Sequence, residues 1–181
     1  MSFRQDERSG RRDLNTTTTD NSADGTLATR TIGVISSGGH LLQVTQIIEL
    51  DPNATYYQTT ITVENIGATT LTDVRFLRSF DPDQDNFSYG SFATYNDVVA
   101  NPNADSDLAL ARALGHYSGV WVNLVAFDDG ARVSNHGFAN WNVYQAQAWQ
   151  SPVDRNGAYV DEAITLSLQF GNLAPGQSAT N

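Results

Sequence analysis

Three aspartates at alternate positions, Asp81, Asp83 and Asp85, place three carboxylates within five residues of the segment TTLTDVRFLRSFDPDQDN (residues 69–86). Like charges at that density repel one another unless a cation, arginines or open water lies between them. Alternate side chains in a turn converge on one point, and hard oxygen donors at roughly 2.3–2.6 Å suit calcium. Pro82 limits the freedom of the loop, and Asn86 can add a carbonyl oxygen. The predicted metal ligands are therefore Asp81, Asp83, Asp85 and Asn86, with calcium as the ion. The spacing is not that of an EF-hand, whose loop has glycine at its sixth position and a helix before it. Two other uses of the same carboxylates stand beside the metal. Arg75 and Arg78 on the adjoining strand, or Arg132, can neutralise them as an ion-pair network, or the turn can simply be solvated.

A second polar group alternates at Asn101, Asn103, Asp105 and Asp107, which makes Asn103, Asp105 and Asp107 a weaker set of metal ligands. The competing reading is a helix start, because acidic residues in a first turn cap free N–H groups and complement the helix dipole. Trp141 and Trp149 are the candidate ligand-binding residues: with Tyr89 and Tyr95 they can offer rings on which sugars stack. Trp121 lies in an apolar run and reads as core. Catalysis needs a nucleophile and base, or a paired acid and base, held in a pocket. His40, His116 and His136 stand at turns or strand ends, with no nucleophile elbow, metalloprotease helix or phosphate-cradling glycine loop around them, so no enzyme is expected.

The elements that must position these residues read as strands. Period-2 alternation begins near Thr26 and continues through residues 29–35, 40–50, 55–66 and 71–80, separated by short Gly, Pro, Asn and Asp turns. Strands return at residues 119–127, apolar on both faces and therefore read as central, around 131–134, and at 159–170, where Val160, Ile164, Leu166, Leu168 and Phe170 face inward. Residues 105–114 (DSDLALARAL) are the one helical candidate, with Leu108, Ala111 and Leu114 on one side and Gly115 as the stop. Asp128-Asp129-Gly130 and Asp154-Arg155-Asn156-Gly157 read as plain turns. The predicted fold is all-β, an antiparallel two-sheet sandwich of Ig-like or Greek-key type with one short connector helix. Residues 1–25 form a flexible polar arm or linker, and 26–181 one sandwich domain that lacks a final strand.

Composition narrows the partners. The formal net charge is -10, there is no lysine, and Arg4, Arg8, Arg11 and Arg12 hold four of the basic residues, so the body is more acidic still. Such a body repels nucleic acid and anionic lipid and favours cations. Without cysteine there is no disulfide, thiol nucleophile or thiolate zinc site. No apolar run is long enough for a membrane helix, and the first 21 residues contain no signal-peptide core.

The runs NIGATTLTDVRFLRSFDPDQD, FDDGARVSNHGFAN and FGNLAPGQSAT resemble the β-sandwich modules of large repetitive bacterial surface proteins, including RTX-type adhesins that fold in calcium. The resemblance covers about residues 26–180. It implies an extracellular, structural or adhesive module at the cell surface whose signal lies outside this chain, with neighbouring domains or identical subunits as partners. In such modules the L-x-PGQS-x-T turn leads into a closing strand, so a split module, or a strand donated by a neighbouring subunit, fits this chain's ending. A carbohydrate-binding module, with a glycan as ligand, is the alternative.

Overall fold

The computed structural model describes residues 16–23, 25–135, 143–144 and 156–181. The strands, in chain order, are β1 (Thr16–Asp20), β2 (Leu27–Ser37), β3 (His40–Leu50), β4 (Gln58–Asn65) and β5 (Leu71–Phe80). A single helical turn, α1 (Asn86–Tyr89), comes next. The remaining strands are β6 (Thr94–Ala100), β7 (Leu108–Gly115), β8 (Trp121–Phe127), β9 (Ala131–Ser134), β10 (Tyr159–Val160), β11 (Ile164–Leu173) and β12 (Ser178–Thr180). The all-β antiparallel class expected from the alternation is the one observed. Among the described residues, no helix is long and apolar enough to cross a membrane.

The chain forms two compact units. The first contains the described residues up to Val74 together with Phe170–Asn181, and the second is Arg75–Gln169. In the first unit the sheet order is β1-β2-β3-β4-β12. β1 extends the sheet into the stretch expected to be an arm. Four consecutive threonines, stiff at χ1 and suited to a pleated surface, pair with Arg30–Gly33 across an antiparallel ladder that Asp20 extends to Thr29. On β4, Ile61 and Val63 are buried as the alternation requires, whereas Tyr57, inside the 55–66 stretch read as strand, precedes β4 and is exposed. β12 pairs with Thr62–Glu64, and Asn181 exchanges two backbone hydrogen bonds with Ile61 at 2.7 and 2.9 Å, so the residues after the Pro-Gly turn form a short strand on β4. Fully buried Asn65 ties this unit together. Its amide donates to the carbonyls of Thr69 (2.9 Å) and Leu173 (2.8 Å), and its Oδ1 accepts from the Gly67 N–H (3.0 Å).

In the second unit β10-β6-β7-β8 form one sheet, and β9 packs across β6, β7 and β8 from the β5-β11-β9 sheet. Residues 105–114, expected to be helical, are instead turn and strand. β7 alternates Leu-Ala-Leu-Ala-Arg-Ala-Leu-Gly, and Ala109, Ala111 and Ala113 are all completely buried while the leucines take the other face. Helix propensity of alanine loses here to pairing with strands on both sides, because small residues on one face let a second sheet approach closely. Among the described residues β8, read as central, is the edge of its sheet: Leu124 is buried, but Trp121, Val125 and Phe127 are exposed. β11 is the middle strand of its sheet and is buried on both faces over Ile164–Leu168 apart from half-buried Leu166.

The strand assignment of β7 has a measurable consequence. Ala111→Leu should cost about 1–3 kcal/mol by overpacking the face between the sheets. Leu110→Ala, on the opposite face, should cost less. Urea unfolding of the two variants checks the order, and equal costs would contradict the strand register.

Candidate metal centre

The pentad Asp81–Asp85 leaves the end of β5 and is anchored by its even-numbered residues and by Asp85. Pro82 is fully buried. The Gln84 amide nitrogen donates to the carbonyls of Ala113 (3.2 Å) and Val120 (3.1 Å), at either side of the β7–β8 turn. Asp85, also fully buried, accepts the N–H of Tyr117 (2.8 Å) on Oδ2 and that of Ser118 (3.0 Å) on Oδ1. Burial acts to raise the Asp85 pKa. The hydrogen bonds from Ser118 and Tyr117 and the nearby His116 outweigh it and hold the carboxyl below the ordinary range.

The turn that Asp85 caps can only approach because position 115 carries no side chain. A Cβ on Gly115 would lie 2.7 Å from Asp85 Oδ1 and 2.9 Å from Gln84 Cγ, and would press on Ser118 Oγ. The backbone of Asp85 is αR (φ -93, ψ -6), which breaks the extended rhythm of the aspartates and starts α1. The three carboxylates therefore part company. Asp85 serves the β7–β8 turn, and Asn86 enters α1, where its carbonyl accepts the Gly90 N–H at 2.9 Å.

Asp81 and Asp83 meet a third carboxylate instead, that of Asp161. One oxygen from each of the three lies within 4.8 Å of the others, a grouping that could hold a metal ion. Asp161 comes directly after β10, whose Tyr159 and Val160 pair with Tyr95 and Thr94. On its other side the Glu162 carbonyl accepts from the amide of buried Asn96 at 2.7 Å, and Asn96 is in turn held by Thr94 Oγ1 at 2.7 Å. Sequence proximity could not reveal Asp161. Its one sequence signal is the Asp161-Glu162 pair that interrupts an otherwise apolar alternation.

Two observations bear on what the cluster needs. Desolvation, the charges of Asp83 and Asp161, and a hydrogen bond to Asp83 push Asp81 up to about 6 from the ordinary 3.8. Asp83 Oδ1 is buried without a hydrogen-bond partner, which is costly for a carboxylate oxygen. Among the described residues no arginine forms an ion pair with these three aspartates. Arg112 pairs with Asp97 at 3.2 Å, and Arg75 lies over the Tyr144 ring at 4.9 Å.

The other candidates fall elsewhere. Asn103, Asp105 and Asp107 lie in the turn before β7. There Asn103 Oδ1 accepts the Asp105 N–H (2.9 Å), Asn103 bridges to Ser106, and the Asp107 carbonyl accepts from Asp128 N (2.9 Å). Asn101 uses its side chain on the Val133 backbone, accepting at 2.8 Å and donating at 3.2 Å. Trp141 and Trp149 lie outside the described residues. Trp121, read as core, is 46% exposed with the Arg112 guanidinium 4.5 Å above its ring.

This geometry carries two measurable outcomes. The folded pKa of Asp81 lies above its unfolded value, so its stabilising contribution is complete below about 3.8 and is lost as pH rises through about 6. In EDTA the melting temperature should therefore fall between about pH 4 and pH 6, and Asp81→Asn should flatten that fall. Asp85 acts oppositely: its contribution is present above the ordinary carboxylate range and is lost only on stronger acidification. Gly115→Ala should destabilise the chain by about 1–3 kcal/mol in urea unfolding through the clash with the Asp85 lock.

Compared with protein-family models and with curated proteins, the chain matches none, so the role of this centre is argued from its own geometry.

Proposed function

We propose that this chain is a structural or adhesive β-sandwich module of a larger bacterial surface protein, working outside the cell and stabilised by calcium bound at Asp81, Asp83 and Asp161. The observation that carries the metal is the buried, unpartnered Asp83 Oδ1 inside a cluster of three carboxylates. A cation gives that oxygen a partner and offsets the repulsion that helps raise the Asp81 pKa. Calcium fits better than magnesium. Its larger and more flexible oxygen shell accepts carboxylates brought together from two separate segments, whereas magnesium demands near-ideal octahedral geometry and keeps several of its waters. Three carboxylates leave further coordination places to backbone oxygens and water.

Binding to the folded state alone stabilises it by mass action, by about 2.7 kcal/mol at a free ion concentration 100-fold above the dissociation constant. Extracellular calcium sites work in the roughly 0.1–1 mM range, filled outside cells and empty in cytosol. Folding would then be completed after export. The surface-protein setting is supported by the resemblance of the three sequence runs and by the acidic, cysteine-free composition.

The test is thermal unfolding at pH 7 with about 5 mM calcium, the same concentration of magnesium, or excess EDTA. Calcium should raise the midpoint by several degrees and magnesium by less. Asp83→Asn and Asp161→Asn should each abolish the calcium response, while Asp105→Asn should leave it intact. An unchanged midpoint in EDTA would remove calcium from the account.

A further inference from the structure

We infer that the exposed tyrosine–histidine ladder on the second unit is a binding surface for a neutral polysaccharide, a site separate from the carboxylate cluster and independent of whether that cluster holds calcium. Five rings from four separate segments converge: Tyr89 at the end of α1, Tyr95 on β6, His116 and Tyr117 in the β7–β8 turn, and Tyr159 on β10. Tyr89 stacks on Tyr117 with centroids 5.3 Å apart, and His116 stands edge-on to Tyr117 at 4.7 Å. His116 and Tyr95 then meet Tyr159 at 5.2 and 5.0 Å. Tyr89 and Tyr117 remain 56% and 55% exposed, so the rings are ordered against one another without being absorbed into the core.

The chemistry of the face selects its ligand. Its rings offer apolar surfaces, while their edges carry polar atoms that are already held: Tyr95 OH shares a hydrogen bond with His116 Nδ1 (3.3 Å), and Tyr159 OH with Ser91 Oγ (2.7 Å). A sugar presents the matching alternation, C–H faces that stack on rings and hydroxyls that bond to their rims. A purely apolar partner would leave the remaining hydrogen-bonding capacity of those hydroxyls unused, whereas sugar hydroxyls can add to it. The strands beneath the ladder are also electrically neutral. Asp97 is the only acid in β6, β7, β8 and β10, and it is paired with Arg112 at 3.2 Å. A polyanion meets a chain of net charge -10, and a polycation finds no free carboxylate on these strands. Rings fixed by mutual contact lose little rotamer freedom on binding, and Asp85, which fixes the turn bearing His116 and Tyr117, supplies the rigidity.

Affinity electrophoresis of the whole chain, in calcium, through gels containing hydroxyethyl cellulose, dextran or galactomannan tests this, with heparin and polylysine as charged controls. At least one neutral polymer should retard the chain, and Tyr117→Ala and Tyr159→Ala should each weaken that retardation by up to about tenfold. Tyr117→Phe, which keeps the ring, should retain most of it. Circular dichroism of each variant separates loss of binding from loss of fold. Retardation by none of the neutral polymers overturns the inference, as does binding only to a charged control. Concentration-dependent self-association abolished by Tyr117→Ala would overturn it too, by assigning the face to a second copy.

Discussion

The site depends on one buried carboxylate. Asp85 has no access to solvent and both its oxygens are used by backbone N–H groups of the turn between β7 and β8. If Asp85 joined its neighbours in a shared ligand cluster, the part-buried N–H groups of Tyr117 and Ser118 would lose their acceptor and the turn would lose its cap. The loop is therefore divided at Asp85. The aspartates before it face Asp161, and the residues after it form a single helical turn ending in Tyr89. The cost of a side chain at Gly115 expresses the same constraint from the other partner, since a turn kept one methyl group further away could not be capped.

The same five residues contain opposite electrostatic environments. Asp85 is buried more deeply than Asp81, yet its pKa lies below the ordinary range because the buried space supplies donors. Asp81 is less buried, yet its own desolvation together with the charges of two more carboxylates, with no backbone donor to offset them, pushes it up to about 6. Burial alone predicts the wrong order. Hydrogen-bond donors decide it, and the difference separates a structural carboxylate from one available for a cation or a proton. Nearby, the ladder of rings draws on the rigidity that the structural carboxylate provides, so the two surfaces share a support while doing different chemistry.

Much of the strand pattern was legible in the sequence, because a half-buried strand repeats every two residues and each hairpin turn leaves Gly, Asn, Asp or Pro behind. The errors came where local preference and tertiary pairing disagree. Residues 108–114 alternate Leu or Arg with Ala at period 2 but are rich in helix formers, and pairing with β6 and β8 settled them as a strand. The run Trp121–Phe127 is apolar on both faces, which reads as a central strand. Among the described residues it is an edge whose outward face stays exposed, with Arg112 over Trp121 covering part of it.

By itself, the sequence determined that the chain is an all-β protein of acidic composition and that Asp81, Asp83 and Asp85 crowd three carboxylates into one stretch, because these properties depend on residue type and short-range spacing. Tertiary structure alone decided that Asp161 completes the cluster, that Asp85 leaves it, and that tyrosines from α1, β6, the β7–β8 turn and β10 form one face. The physical reason is that these relations come from pairing between strands distant in sequence. The register of β10 on β6 places Asp161, and the two hydrogen bonds of the β7–β8 turn orient Asp85. No periodicity within a single segment encodes either one.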